Sequence, residues 1–165
     1  MRLQPKTVKI LALLGTGVLV VAVAFFAVLF VLVKDSDPRL PAVTAYAYGE
    51  AITVEPTRYC ELDLTECSEE GSIAKLQVPV GYPLQLSLPT ELSDAPWRLY
   101  ATYDGPNGLE IVEQGYRPGQ ATAVSVRSKT TPEAKLLGVE IRLPSSVVDE
   151  NGDPFQRAVW LIETA

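Results

Sequence analysis

Hydrophobic positions along the chain fall into two regimes. From Ile10 to Val33 they are nearly continuous: ILALLGTGVLVVAVAFFAVLFVLV holds 21 apolar residues in 24 and no charge. At about 1.5 Å per helical residue the run extends about 36 Å, enough to cross a hydrocarbon core about 30 Å thick. Inside a bilayer each backbone N–H and C=O must pair within its own segment, so the run predicts a helix despite its many Val residues. Beyond residue 42 the apolar positions come in short alternating stretches instead. Val43–Tyr48 and Ala51–Val54 flank Gly49-Glu50, a Gly-X pair suited to a type II′ hairpin turn. Ile73–Val78, Leu84–Leu88, Trp97–Tyr103, a weaker Leu109–Glu113, Ala121–Arg127, Val139–Leu143 and Ala158–Ile162 follow.

That pattern predicts about nine short strands. Proline spacing agrees, since 12 of the 13 Pro lie after residue 37 and Pro inside a helix costs about 3 kcal/mol. Many short strands with turn chemistry between them predict an all-β fold, an immunoglobulin-like β-sandwich behind one N-terminal transmembrane helix. A small barrel is the alternative. Trp97 and Trp160 are expected to anchor the core.

Composition sharpens this organisation. Outside the apolar run the hydrophobic share drops to about 40%, ordinary for a soluble domain. Arg2, Lys6 and Lys9 make the first nine residues +3. The other 11 Lys and Arg face all 20 Asp and Glu from residue 34 onward, a net −9. Positive residues stay on the cytoplasmic side of a span. The expected layout is a cytoplasmic N-terminus (1–9), a transmembrane helix (10–33), a linker (34–41) and an extracytoplasmic β-domain (42–165). A cleaved secretory signal has an apolar region of only about 7–15 residues with a small-x-small site close behind. Here the nearest such site, Ala45-Tyr46-Ala47, ends 14 residues after Val33 and lies within a strand-like stretch. The run is therefore read as an uncleaved anchor, making the lipid bilayer the first partner. An acidic external domain argues against nucleic acid.

The two Cys residues, Cys60 and Cys67, lie in the part assigned to the outside, where dithiols oxidise. A Cys60–Cys67 disulfide is expected. Their spacing is not C-x-x-C, and there is no His to activate a thiol.

The chain contains no His. That removes Ser-His-Asp and Cys-His catalysis and His-ligated zinc. No Gly-rich phosphate loop is present, so no nucleotide is expected. Ser72-Ile73-Ala74-Lys75 fits S-x-x-K, but on a strand i and i+3 face opposite sides of the pleat. Asp149-Glu150-Asn151-Gly152-Asp153 resembles the front of a calcium loop, yet Pro154 stands where the motif needs Gly. It reads as a solvated turn, as do the acidic residues Glu61, Asp63, Glu66, Glu69 and Glu70. No metal or cofactor is expected.

The stretches TAYAYGEAITVEPTRYC, VPVGYPLQLSLPTELSDAPWRL, YRPGQATAVSV and LGVEIRLPSSVVDENGDPFQRAVWLIETA resemble an actinobacterial family of exported or membrane-anchored proteins catalogued as a domain of unknown function, the 2771 family. The resemblance spans nearly all of residues 40–165. It implies an external β-domain in a cell envelope and transfers no catalytic residue.

The expectation is a non-catalytic, single-pass envelope protein whose external domain docks a protein or a cell-wall component. An extracytoplasmic carrier of a lipid or small ligand is the alternative, and a carboxylate-based cell-wall hydrolase a further one. Candidate contact residues are Asp94, Pro96 and Trp97 in one loop and Tyr116 and Arg117, leading into Pro118-Gly119, in another. Loops carrying aromatics and Arg are where sandwich domains bind.

Overall fold

The structure, a computed structural model, describes residues 5–34, 39–68, 71–130 and 134–164. Tether residues 35–38, Arg2, and Glu69 and Glu70 of the acidic cluster lie outside the described residues. The chain divides into two compact units between Arg39 and Leu40.

The first unit carries helix α1 (Pro5–Lys34). Pro5 begins it, where a missing N–H costs no intrahelical bond. From Leu14 to Lys34 the helix is long and apolar enough to cross a membrane, with none of its most apolar stretch buried against protein.

The second unit is a β-sandwich. One sheet has the order β2-β1-β5-β8, built from β1 (Val43–Ala47), β2 (Glu50–Val54), β5 (Leu84–Ser87) and β8 (Ala123–Val126). The other runs β3-β11-β10-β6-β7, with β3 (Arg58–Tyr59), β6 (Trp97–Gly105), β7 (Gly108–Tyr116), β10 (Ala134–Val148) and β11 (Pro154–Glu163). Two short strands lie off that path: β4 (Ala74–Lys75) pairs parallel with β11, and β9 (Lys129–Thr130) pairs with β10. Between β5 and β6 sits a single helical turn, α2 (Thr90–Ser93).

The connectivity is immunoglobulin-like. Strands β1, β5 and β8 take the A, B and E places of one sheet, while β11, β10, β6 and β7 take the G, F, C and C′ places of the other. Alternation set the inward faces: Trp97, Leu99, Ala101 and Tyr103 of β6 point into the same core as Val139, Ile141 and Leu143 of β10. Trp160 is fully buried, and its indole N–H donates to the Pro41 carbonyl at 2.9 Å. The sandwich thus grips the chain from Pro41 onward.

Two local expectations change. The first hairpin does not turn on Gly49-Glu50 in a type II′ turn. Ala47 pairs with Glu50, and the central residues are Tyr48 and Gly49, at φ 45° and 85°. Positive φ at both makes the turn type I′. A non-Gly residue in that region costs about 1–2 kcal/mol; contact of Tyr48 with the Tyr82 ring, 4.6 Å between centroids, offsets part of it. Among the described residues the strand count also rises from nine to eleven, because β3 and β9 are two-residue pairings with no alternation to read.

Candidate functional site

Three connections meet at one end of the sandwich. Strand β5 ends there, β6 begins, β7 ends, β8 begins, β10 ends and β11 begins, as their antiparallel registers require. The β5–β6 and β10–β11 connections correspond to the B–C and F–G loops of immunoglobulin domains, which carry antigen contacts in variable domains. Strand β1 also starts at this end, so the chain enters the domain beside these loops.

Each connection has a defined cause. After α2, Asp94 closes the helical turn at φ −86° and ψ 0°, and Pro96 returns the backbone to extended form. Trp97 then opens β6 with its side chain inward and 1% exposed. Directly opposite in the register is Tyr116, and the two rings stack at 3.9 Å with planes 8° apart. Burial raises the Tyr116 phenol above its ordinary pKa. The next four residues, Arg117-Pro118-Gly119-Gln120, form a tight turn with Gly119 at φ 69°. Pro at the second place and a positive-φ Gly at the third suit a type II turn. Gln120 closes it twice: its N–H donates to the Arg117 carbonyl at 3.0 Å, and its side-chain oxygen accepts the Arg117 N–H at 2.9 Å. The Gly119 N–H donates to the Ser93 carbonyl at 2.8 Å, joining this turn to α2.

The β10–β11 turn is held by Asp149. Its carboxylate accepts the N–H groups of Asn151 at 2.8 Å and Asp153 at 2.9 Å. These bonds, that from Asp153 foremost, hold the Asp149 carboxyl below the usual aspartate range. The segment read as a solvated turn is a turn, and its leading carboxylate serves its own backbone. Among the described residues no group of three metal-ligating side chains lies together.

Together these pieces enclose a cleft of about 1080 Å³. Its lining includes four of the five candidate contact residues: Pro96, Trp97, Tyr116 and Arg117. Asp94 is not among them; its carboxylate faces the Ser93 hydroxyl at 3.5 Å. Trp97 contributes from below Tyr116 rather than as an exposed platform. Sequence reasoning missed Arg98, Gly115, Gln120, Pro144, Asp153, Pro154 and Gln156, which also line it. The signal for the last three lay in the topology, because an immunoglobulin-like order sets the β10–β11 turn beside the β5–β6 loop.

The cleft differs from its surroundings in charge. Arg98 and Arg117 outnumber Asp153, on a domain that is otherwise strongly acidic. Arg98 is engaged, donating to Glu113 at 2.8 Å, and the Tyr100 hydroxyl reaches the same carboxylate at 3.2 Å. The Arg117 guanidinium has no hydrogen-bond or ion-pair partner among the described residues. The Trp97 indole N–H is buried and also unpartnered among them.

Cys60 and Cys67 form the expected disulfide. Cys60 is buried beside β11, with its N–H donating to the Arg157 carbonyl at 2.7 Å. Closing a loop of about eight residues removes unfolded-state entropy worth roughly 2.5 kcal/mol. From within that loop the Leu62 carbonyl accepts both the N–H and the hydroxyl of Ser146, tying the loop to the far end of β10.

Relatives carry the same domain. Uncharacterized proteins of Mycobacterium bovis and of Mycobacterium tuberculosis are 33% identical to it over 137 residues, covering 82% of this chain and 83% of theirs. No solved structure matches it significantly. The family described as "Protein of unknown function (DUF2771)" matches residues 36–165, and the chain belongs to that family.

Proposed function

We propose that this protein is a single-pass, membrane-anchored docking module of the cell envelope, with residues 40–165 outside the cell and the loop-end cleft as its partner site. The observation that carries the reading is the cleft: three separate connections converge on an aromatic stack, and Arg117, in the same lining, has no partner among the described residues. Support for the anchor comes from α1, whose apolar stretch has no protein cover, and from the basic residues that precede it. The disulfide supports an oxidising compartment.

The cleft opens at the loop end rather than between the sheets, which favours docking over carriage of a lipid in the interior. Asp153 is the one carboxylate among its lining residues, whereas glycoside hydrolysis needs two, about 5–9 Å apart.

The test is site-specific photocrosslinking of the full chain in intact cells. A benzophenone side chain at Gln120 or Gln156 is expected to give a discrete adduct, and one at Thr53, exposed on the opposite sheet, to give none. Arg117→Glu should reduce the cleft adduct at least tenfold. Adducts from Thr53 but not from the cleft would overturn the proposal.

A further inference from the structure

We propose that the outer edge of β7 is a strand-addition site for an extended segment of another polypeptide in which apolar and basic residues alternate. Strand β7 pairs with β6 over nine consecutive residues without a register shift, and among the described residues no strand pairs with its other edge. A two-residue connection, Pro106-Asn107, joins the two strands. The closing pair Gly105 and Gly108 must therefore exchange N–H and C=O with each other. Parity then follows along the strand. Gly108, Glu110, Val112, Gln114 and Tyr116 bond to β6, and Leu109, Ile111, Glu113 and Gly115 turn their N–H and C=O outward.

Sheet proteins usually blunt such an edge with Pro, charged side chains (Lys above all), a bulge or short length; β7 carries two charges, Glu110 and Glu113, of which Glu113 is engaged by Arg98. Other edges here follow that rule. Strand β8 has four residues, β2 has five and runs into Glu55-Pro56, and the free side of β11 is capped by β3 and β4. Between Gly108 and Tyr116 there is no Pro, Lys or bulge. The strand also overhangs the opposite sheet. Its core-side residues Glu110, Val112 and Gln114 are exposed, and so are Leu109 and Ile111 on the outer face.

The side chains select the occupant. Leu109 and Ile111 (71% and 65% exposed) offer an apolar row on one face, and Glu110 offers a carboxylate without an ion-pair partner among the described residues on the other. An incoming strand with apolar residues on one face complements Leu109 and Ile111, a basic residue on its other face meets Glu110 beside Val112 and Gln114, and the acidic domain attracts it. A second copy fits less well. Two β7 edges pairing antiparallel would put the two ends at which the chains enter on opposite ends of the joined sheet, a poor match to two anchors in one bilayer.

The full chain in nanodiscs of zwitterionic phosphatidylcholine would be titrated with a fluorescent nonapeptide of alternating Val and Lys. Two N-methylated versions, blocked at every Val or at every Lys, accompany it. Binding is expected, and one methylated form should lose at least tenfold in affinity while the other keeps it, because only alternate N–H groups face β7. Ile111→Pro should weaken binding at least tenfold, since that N–H points outward and its loss leaves the β6 ladder whole. Amide exchange on the unsubstituted chain gives an independent reading: the peptide should newly protect Leu109, Ile111, Glu113 and Gly115. Absence of binding, equal binding of both methylated forms, undiminished binding by a folded Ile111→Pro chain, or protection elsewhere would each overturn the proposal. So would a stable dimer of the full chain that Ile111→Pro dissolves. Of the outward-facing residues only Gly115 also lines the cleft; Leu109, Ile111 and Glu113 do not, so the readouts at those three let this proposal and the cleft reading fail separately.

Discussion

Two buried tryptophans do different work although composition treats them alike. The Trp160 N–H satisfies the Pro41 carbonyl, whereas the Trp97 N–H meets no acceptor among the described residues. Replacing either by Phe removes similar volume, but only Trp160→Phe strands a carbonyl. In urea denaturation Trp160→Phe is expected to cost about 1–3 kcal/mol more than Trp97→Phe. Tyrosines carry the pH dependence. Tyr103 is buried, and its hydroxyl donates to the Arg127 carbonyl at 3.0 Å. Burial raises its pKa above the ordinary 10.0, Arg127 pulls it back and Glu110 adds to the rise. Tyr116 is raised by burial too. A raised phenol favours the neutral form in the fold. Its contribution is complete below pH 10 and is lost as pH rises through the folded value, because the unfolded chain ionises first. Thermal melts above pH 10 should fall less steeply for Tyr103→Phe combined with Tyr116→Phe than for the parent, even if the double variant starts lower at neutral pH.

Strands were legible where one face meets the core and hidden where none or both do. Strand β6 buries alternate residues and reads cleanly, while β7 is exposed on both faces and so shows only a weak pattern over half its length. Strand β10 reads from Val139 to Leu143 but extends from Ala134 to Val148. The cause is a bulge: Leu136 pairs with Tyr103 and Gly138 with Thr102, so Leu137 is an extra residue and the period-2 phase breaks there. Pro144 sits where β10 has run past its pairing with β6, which is why a proline is tolerated in a central strand. Beside the bulge, Gly138 lets β10 approach β11 closely; a Cβ there would lie 2.9 Å from the Ile162 carbonyl oxygen. Gly138→Ala is expected to destabilise by about 1–3 kcal/mol, as overpacking does. Gly115→Ala, with open space around the added methyl, should be within about 0.5 kcal/mol of neutral, as is usual for surface positions. Paired chemical denaturation curves would check the difference.

At the scale of the molecule, the sandwich and its anchor-length helix were readable from periodicity, and the cleft only in part. Pro96, Trp97, Tyr116 and Arg117 stood out as loop aromatics, Arg and Pro. The wall from Pro144 to Gln156 arises from which loops the strand order gathers, a property no local window holds. That gathering has a mechanical side. Pro41, where the chain enters, is bonded to Trp160 on β11, and four residues earlier on that strand Gln156 lines the cleft. In the proposed arrangement, tension between the anchor and a docked partner would pass along this short path, through the buried Trp160. A load applied that way would bear on one segment of β11 and leave the domain unstretched from end to end.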